Sequence, residues 1–154
     1  MNKKKCYIYG NGLNGFEYKK NIVLNAGNSG TFARLILGLL VKSPFYIKLV
    51  GDKSLSKRDF GRVILPLQKV GASFKVNSKK TLPLQIIGSS FTNPINYIEN
   101  RGSAQCKSTM MLAALNSPGK TVIKAKKSRD HTENIFKYLG IPIIVKKNKY
   151  GDKI

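Results

Sequence analysis

Four segments of this 154-residue sequence place side chains suited to binding anions where a helical pattern begins. These segments are residues 28–31 followed by Arg34, Arg58 with Asp59, residues 102–105, and residues 128–130. The first N–H groups of a helix are unpaired and lie at the positive end of its dipole, and arginine adds a planar donor suited to carboxylate or phosphate. Any one start could instead be ordinary N-capping, by Asn28, Ser103 or Ser128. Because four starts occur together and three contain an arginine, we expect a shared site for an anionic ligand.

The charge of the chain also favours anionic partners. There are 28 Lys and Arg residues against 7 Asp and Glu, which gives a net charge of +21. Such a field attracts phosphorylated metabolites, nucleic acids or anionic membranes. The excess is mostly lysine (23 Lys, 5 Arg) and is spread along the chain, as at Lys19 and Lys20. Nucleic-acid surfaces usually combine arginine with aromatic residues on one face, so we favour a lysine-biased surface and do not expect a nucleic-acid partner.

Other residues with chemical potential are predicted to be structural. Cys6 and Cys106 belong to no metal-binding spacing, and we expect both thiols to pack in a reducing compartment. His131 is expected to be structural, and Lys53, Lys57 and Lys107 are expected to be solvated. The longest apolar stretch, residues 35–41, is too short to span a bilayer. We therefore expect a cytoplasmic protein without a membrane partner.

The elements that must position these residues alternate between strands and helices, which predicts an α/β fold. Apolar runs and turn residues predict strands at 6–9, 22–24, 45–50, 73–76, 84–87, 95–98, 121–124 and 143–145. Helical periodicity predicts helices at 31–40, 59–70, 104–115 and 132–139. Gly71 and Gly140 follow two of these helices, as glycine commonly does at a helix end.

The order of elements contains a repeat. An Arg-Asp pair, a helix, a glycine and a strand follow one another from Ser56 and again from Lys127, at an offset of about 70 residues, which is longer than a solenoid period. We expect two copies of a sub-domain, at about 28–82 and 100–154, preceded by an incomplete strand segment at 1–27. Residues 148–152 are rich in turn formers and only two residues follow. We therefore expect a missing returning strand, an unpaired edge and a truncated chain.

Four sequence motifs resemble those of a known family. The run LNAGNSGTFARLILGLL resembles the N-[SA]-G-T-x-x-R signature of EPSP synthases, and residues 51–72 resemble their second conserved stretch. GSAQCKSTMMLAAL resembles their S-[SA]-Q-x-K-S stretch, and SRDHTENIFKYLGI resembles their SRDHTE helix start. The motifs occur in the family's order over nearly the whole chain, and Ala104 with the SRDHTE wording resembles the class II branch. The resemblance implies repeated βαβαββ sub-domains of the enolpyruvyl transferase type, an inside-out α/β barrel that is incomplete here.

The resemblance also implies an activity. EPSP synthases are transferases of the shikimate pathway, which leads to chorismate and the aromatic amino acids. They move the enolpyruvyl group of phosphoenolpyruvate to the 5-hydroxyl of shikimate 3-phosphate, giving EPSP and phosphate, without a metal or organic cofactor. The intact enzyme is expected to be a monomer whose acid–base residues lie in segments missing here, including a carboxy-terminal domain, so we expect this chain to be inactive alone. A UDP-sugar enolpyruvyl transferase of the same fold, a basic nucleic-acid-binding module and a non-catalytic anion-binding domain stay open as alternatives.

Site residues follow from the same resemblance. The residues matched to phosphoenolpyruvate binding are Gly30, Thr31, Arg34, Arg58 and Gln105, and those matched to shikimate 3-phosphate binding are Ser103, Ala104, Gln105, Ser128 and Arg129. Asp59 departs from the family, which usually has proline after that arginine. Its carboxylate could pair with Arg58 and weaken the anion clamp, or bind the start of the helix. Arg101 and Lys107 lie beside motifs, but the resemblance gives them no role.

Overall fold

The computed structural model describes Tyr7, residues 9–13 and residues 15–154. Within this part of the chain there are eight strands and four α-helices, joined in places by short 3-10 turns. In chain order they are β1 Val23–Asn25, α1 Gly30–Leu39, β2 Ile47–Val50, α2 Gly61–Val70, β3 Ser73–Lys75, β4 Leu84–Ile87, β5 Asn96–Glu99, α3 Ala104–Ala114, β6 Val122–Lys126, α4 His131–Tyr138, β7 Lys146–Lys147 and β8 Gly151–Lys153. The α/β class predicted from the alternating pattern is confirmed.

Two predictions about the ends of the chain differ from the structure. For the strand predicted at 6–9, Cys6 and Ile8 lie outside the described residues, while Tyr7 and Tyr9 belong to no strand. The returning strand predicted to be missing is present as β8, which pairs with both β6 and β7, so that prediction is wrong. The hairpin needs few residues because Asn148 Oδ1 accepts the N–H groups of Tyr150 and Gly151 at 2.8 and 3.0 Å and closes a tight turn.

The two sheets have the same topology. Their strand orders are β1-β2-β4-β3 and β5-β6-β8-β7, and in each the first pair is parallel and the other two are antiparallel. Each sheet with its two helices therefore makes one βαβαββ unit, and the repeat seen in the sequence is a structural repeat. Strands β1 and β5 begin at Val23 and Asn96, ahead of the boundaries expected at 28 and 100. We propose that each unit begins at its parallel edge strand.

The helices lie between the sheets. Helices α1 and α3 pack against each other along their length, and α2 also contacts α3. In β2 the side chains of Ile47 and Leu49 are buried while Lys48 between them is exposed, so one face of the sheet covers the helices and the other meets solvent. The two sheets do not close into a barrel in the described residues, as expected for an incomplete example of this architecture.

Helix α3 is the most enclosed element of the described chain. Its positions Cys106–Met111 and Ala113 are all buried, although the sequence includes Lys107, Ser108 and Thr109. In helix α1, by contrast, only Gly30, Ala33, Leu37 and Gly38 are buried, although most of its residues are apolar. The difference arises because α3 contacts α1, α2, β5 and β6. Among the described residues, no helix combines the length and apolar character that crossing a membrane requires.

Candidate functional site

The start of α1 brings two guanidinium groups together. Ser29 caps the helix, its Oγ accepting the N–H of Phe32 at 3.1 Å, while the expected cap Asn28 instead donates to Asp52 Oδ2 at 2.6 Å. A Cβ added to Gly30 would lie 2.9 Å from Arg34 Nη1 and 3.0 Å from Arg58 Nη1. Gly30 is thus enclosed by two cations at the positive end of a helix dipole, an arrangement suited to an anion.

Arg34 is held in a fixed orientation. Its Nη1 donates to the Gly30 carbonyl at 3.2 Å and to Gln105 Oε1 at 3.1 Å, and its Nη2 donates to the Asp59 carbonyl at 3.3 Å. Its guanidinium carbon also lies 5.0 Å from the centre of the Phe60 ring. Burial lowers the pKa of Arg34, and the positive charges of Arg58 and Arg62 lower it further, but a guanidinium stays charged at neutral pH. Arg34 is therefore a preorganised cation.

Gln105 joins the two units. Its Nε2 donates to Thr31 Oγ1 at 2.8 Å, while its Oε1 accepts from Arg34. Gln105 is the second residue of α3, and Ser103 caps that helix by accepting the N–H of Cys106 at 3.3 Å. Through Gln105 the start of α3 is therefore in direct contact with the start of α1.

A cavity of about 150 Å³ lies between the starts of α1, α3 and α4. Its walls are formed by Thr31, Leu35, Ala104, Gln105, Ser108, Arg129, His131 and Thr132. Four residues from the sequence-based site, Thr31, Ala104, Gln105 and Arg129, thus meet at one cavity. His131 was expected to be structural, but it is exposed and lines the same cavity. The SRDHTE motif, which contains His131, was the sequence signal that could have indicated a place in the site.

Five residues of the sequence-based site do not line this cavity, namely Gly30, Arg34, Arg58, Ser103 and Ser128. Arg58 is exposed and lies on the Gly30 side, where its Nη2 is 3.5 Å from Asn28 Oδ1. The Ser128 hydroxyl is buried and has no hydrogen-bond partner among the described residues. A ligand would reach the Ser128 hydroxyl only after its side chain rotates. The structure thus separates an arginine pair around Gly30 from a polar cavity beyond Gln105.

Asp59 binds the start of α2. Its Oδ1 accepts the N–H of Gly61 at 2.6 Å, and within the described residues Asp59 forms no ion pair with Arg58. A carboxylate at this end of a helix is also favoured by the dipole. Of the two possibilities raised by the sequence, the structure shows the helix-start interaction.

Glu99 and Arg62 were not identified from the sequence. Glu99 is only 3% exposed, and its Oε1 accepts from Arg62 Nη2 at 2.6 Å and from the Arg101 N–H at 3.2 Å. Its Oε2 accepts the N–H of Ser103 at 2.8 Å. One carboxylate therefore ties the loop before α3 to helix α2 of the other unit. A single glutamate at the end of a predicted strand carries no pattern that indicates this role.

Lys107 was predicted to be solvated, and that prediction is wrong. Its side chain is 0% exposed, and its Nζ lies 2.5 Å from Oε1 of Glu133, whose side chain is 2% exposed. Lysine is almost never fully buried unless it is paired. The burial follows from the central position of α3 in the helical layer.

Comparisons with known proteins agree on one family. A family model described as EPSP synthase (3-phosphoshikimate 1-carboxyvinyltransferase) matches residues 1–152. The chain is 50% identical over 143 residues to 3-phosphoshikimate 1-carboxyvinyltransferase of Ruthia magnifica subsp. Calyptogena magnifica, covering 92% of this chain and 32% of the relative. It is 41% identical over 145 residues to the enzyme of that name in Parvibaculum lavamentivorans, covering 94% and 32%. A solved structure of EPSP synthase from Acinetobacter baumannii matches with a TM-score of 0.84 and 34% identity over 95% of this chain and 33% of its own.

Two related α/β units with the same strand order give this chain the fold of the enolpyruvyl transferase type. The chain belongs to the EPSP synthase family. It spans about a third of the length of the relatives that it matches.

Proposed function

We propose that this chain forms the substrate-cradling part of an enzyme that transfers the enolpyruvyl group of phosphoenolpyruvate to the 5-hydroxyl of shikimate 3-phosphate. The observation that carries the proposal is the bridge made by Gln105, which bonds Thr31 and Arg34 from the other unit. Two reacting anions must lie side by side, and this bridge makes their two half-sites adjacent. Membership of the family supports the same substrates.

The phosphoenolpyruvate half of the proposed site lies at the start of α1. Gly30 leaves room beside it for the two guanidiniums, Arg34 and Arg58 supply the positive charge, and Thr31 and Gln105 supply neutral polar groups. A ligand carrying a carboxylate and a phosphate suits paired arginines, because charge-assisted bonds from arginine are strong and directional. Arg34 is fixed before any ligand arrives, so little reorganisation opposes binding.

The shikimate 3-phosphate half is the cavity beyond Gln105. Ala104 and Arg129 line it, and Ser103 sets the start of α3 beside them. Arg129 provides the cation for the phosphate, and rotation of Ser128 would add a hydroxyl donor at the same place. Ala104 keeps the wall small enough for a ring to approach the helix start.

In the proposed reaction the 5-hydroxyl oxygen loses its proton and attacks the enolpyruvyl carbon, while the neighbouring methylene takes up a proton. The tetrahedral adduct then loses phosphate together with a proton from the new methyl group, which restores the carbon–carbon double bond. The residues described here would hold and orient both anions. Holding two reactants in the right geometry can remove a large part of the activation barrier. The acid–base groups belong to the longer enzyme, and we propose that this chain alone does not turn over. A monomeric, cytoplasmic enzyme is part of the same proposal.

Calorimetric titration of the purified chain with shikimate 3-phosphate, with and without phosphoenolpyruvate, tests this function. We expect weak binding of shikimate 3-phosphate that tightens when phosphoenolpyruvate is present. Gln105→Leu should abolish this mutual effect, because it removes the bridge between the half-sites. A folded chain that gives no heat with either ligand would refute the proposal, as would salt-sensitive RNA binding without any response to these anions.

A further inference from the structure

A fully buried ion pair lies just behind the proposed shikimate 3-phosphate cavity. Lys107 on α3 and Glu133 on α4 are 2.5 Å apart and 0% and 2% exposed. Beside them, the hydroxyl groups of Ser108 and Thr132 lie 2.7 Å apart and make a second polar contact between the same two helices. Ser108 and Thr132 also line the cavity, so the ion pair adjoins the cavity wall.

The first unit has no charged residues at the equivalent helix positions. Lys107 is the fourth residue of α3, and the fourth residue of α1 is Ala33. Glu133 is the third residue of α4, and the third residue of α2 is Val63. Ala33 and Val63 are both 0% exposed. Since an apolar pair of similar volume is often as stable as a buried ion pair, stability alone does not account for the charges in the second unit.

An ion pair differs from an apolar contact because two buried opposite charges must stay close together. Apolar side chains pack in several nearly equal arrangements, whereas separating a buried pair leaves each charge without a partner at a large cost. Lys107 follows Gln105 by two residues, and Glu133 follows His131 by two, so the pair connects the first turn of α3, which carries Ala104, to the first turn of α4, which Arg129 precedes by two residues. Movement of α4 along α3 would break the pair and would also change the width of the cavity.

We propose that Lys107 and Glu133 are positioning residues that hold the first turn of α4 against the first turn of α3. They thereby set the position of Arg129 relative to Ala104 and Gln105 for the anion bound between them. This inference rests on the proposed function for the identity of that anion, but the positioning itself is a property of the free chain.

The test is the double variant Lys107→Met with Glu133→Leu, which replaces the charges by apolar side chains of similar size. We expect thermal unfolding close to that of the parent chain. Affinity for shikimate 3-phosphate should fall about tenfold, since small displacements of binding groups are costly. Exchange of the Asn134 amide, which donates to the Asp130 carbonyl at 3.0 Å in the first turn of α4, should speed up about tenfold as that turn loosens. Lys147→Met removes an exposed ion pair from the same helix start and should change neither quantity.

The two measurements separate this inference from the proposed function. If the parent chain binds no shikimate 3-phosphate, the proposed function fails, and exchange at Asn134 still decides whether the pair positions α4. A folded double variant with unchanged exchange overturns the positioning role. If the double variant does not fold, Glu133→Gln is measured instead. This variant keeps the shape of the side chain and an acceptor oxygen for Lys107. It should speed exchange by about threefold, because a neutral acceptor bonds more weakly than a charged one, and unchanged exchange in it overturns the proposal.

Discussion

The two units share one topology but differ in how completely they close. In the first unit, Leu37, Leu49, Phe60 and Leu67 are among the side chains that are 0% exposed. The second unit contains a groove of about 560 Å³ between α3, α4 and the chain leading to β7. It also exposes many large apolar side chains, which include Ile98, Ile135, Tyr138, Leu139, Ile144 and Tyr150. The order of strands and helices therefore does not determine how the space between them is filled.

The two units also differ in where their carboxylates lie. The chain has only 7 acidic residues, and five of them act at helix starts or between helices: Asp52, Asp59, Glu99 and Asp130 accept hydrogen bonds, and Glu133 is paired with Lys107. In the first unit Asp52 and Asp59 are exposed and accept backbone N–H groups, whereas in the second Glu99 and Glu133 are buried. A chain with a net charge of +21 thus uses its few anions to orient the groups around the proposed site.

The largest expected effect on stability concerns the difference between the closed core of the first unit and the open groove of the second. Phe60 and Phe136 are the buried aromatic residues of the two units, 0% and 7% exposed, and Phe136 lines the groove. Phe60→Ala should destabilise the chain by about 3–5 kcal/mol, the range typical of a closed core. Phe136→Ala should cost less, on the order of 2 kcal/mol, because its site is already partly open. Urea unfolding of both variants measures this, and equal losses would contradict a looser second unit.

A smaller loss is expected where the two units cross. A Cβ on Gly38 of α1 would overlap the carbonyl oxygen of Thr109 on α3, so the two backbones approach too closely for any side chain. Gly38→Ala should therefore cost about 1–3 kcal/mol by overpacking. It should also separate Gln105 from Arg34 and reduce the mutual effect of the two ligands in calorimetry. If Gly38→Ala is as stable as the parent chain and the two ligands still affect each other's binding, then the crossing of α1 and α3 does not hold the two units in position.

Much of the fold was predictable because its elements have strong local patterns. The helical period at 59–70 and the glycines at 71 and 140 correctly indicated α2 and the ends of two helices. The repeat of Arg-Asp, helix, glycine and strand indicated two related units, and both sheets have the same strand order. The strand β8 was missed because Gly151–Lys153 is short and polar, and its pairing depends on the turn made by Asn148.

The site was predictable only in part. Motifs led to Thr31, Ala104, Gln105 and Arg129, which the structure brings together at one cavity. Lys107 could not be identified, because a lysine in a helix is ordinarily solvated and its burial depends on the four neighbouring elements that pack around α3. Local sequence reports which residues begin a helix, but not which helix becomes the centre of the layer.

The next prediction concerns the phosphoenolpyruvate half of the proposed site. Gly30→Ala places a Cβ about 3 Å from the Arg34 and Arg58 guanidiniums and should displace both. We expect affinity for phosphoenolpyruvate to fall about tenfold, or 1.4 kcal/mol. Stability should hardly change, since alanine favours a helix more than glycine does. Calorimetry measures the loss, and Gly10→Ala is the matched control because nothing lies within 4 Å of its Cβ. Unchanged affinity would mean that the arginine pair does not hold this ligand.

The smallest effect concerns the exposed ion pair of the second unit, between Lys147 Nζ and Asp130 Oδ2 at 2.8 Å. The hydrogen bond to Lys147, together with its charge, lowers the pKa of Asp130 below the ordinary 3.8, and the same bond raises the pKa of Lys147 above 10.5. A lowered carboxyl pKa stabilises the fold above the unfolded value, and the effect is lost as pH falls through the folded value. The raised lysine pKa stabilises the fold below pH 10.5, and the effect is lost as pH rises through the folded value.

Asp130→Asn should therefore lower the unfolding midpoint slightly between about pH 4 and pH 10, and below this window its midpoint should match that of the parent chain. Because exposed pairs contribute little, we expect the shift to be far smaller than that caused by breaking the buried Lys107–Glu133 pair with Glu133→Ala. Thermal unfolding at several pH values compares them, and equal shifts would show that burial does not distinguish the two pairs.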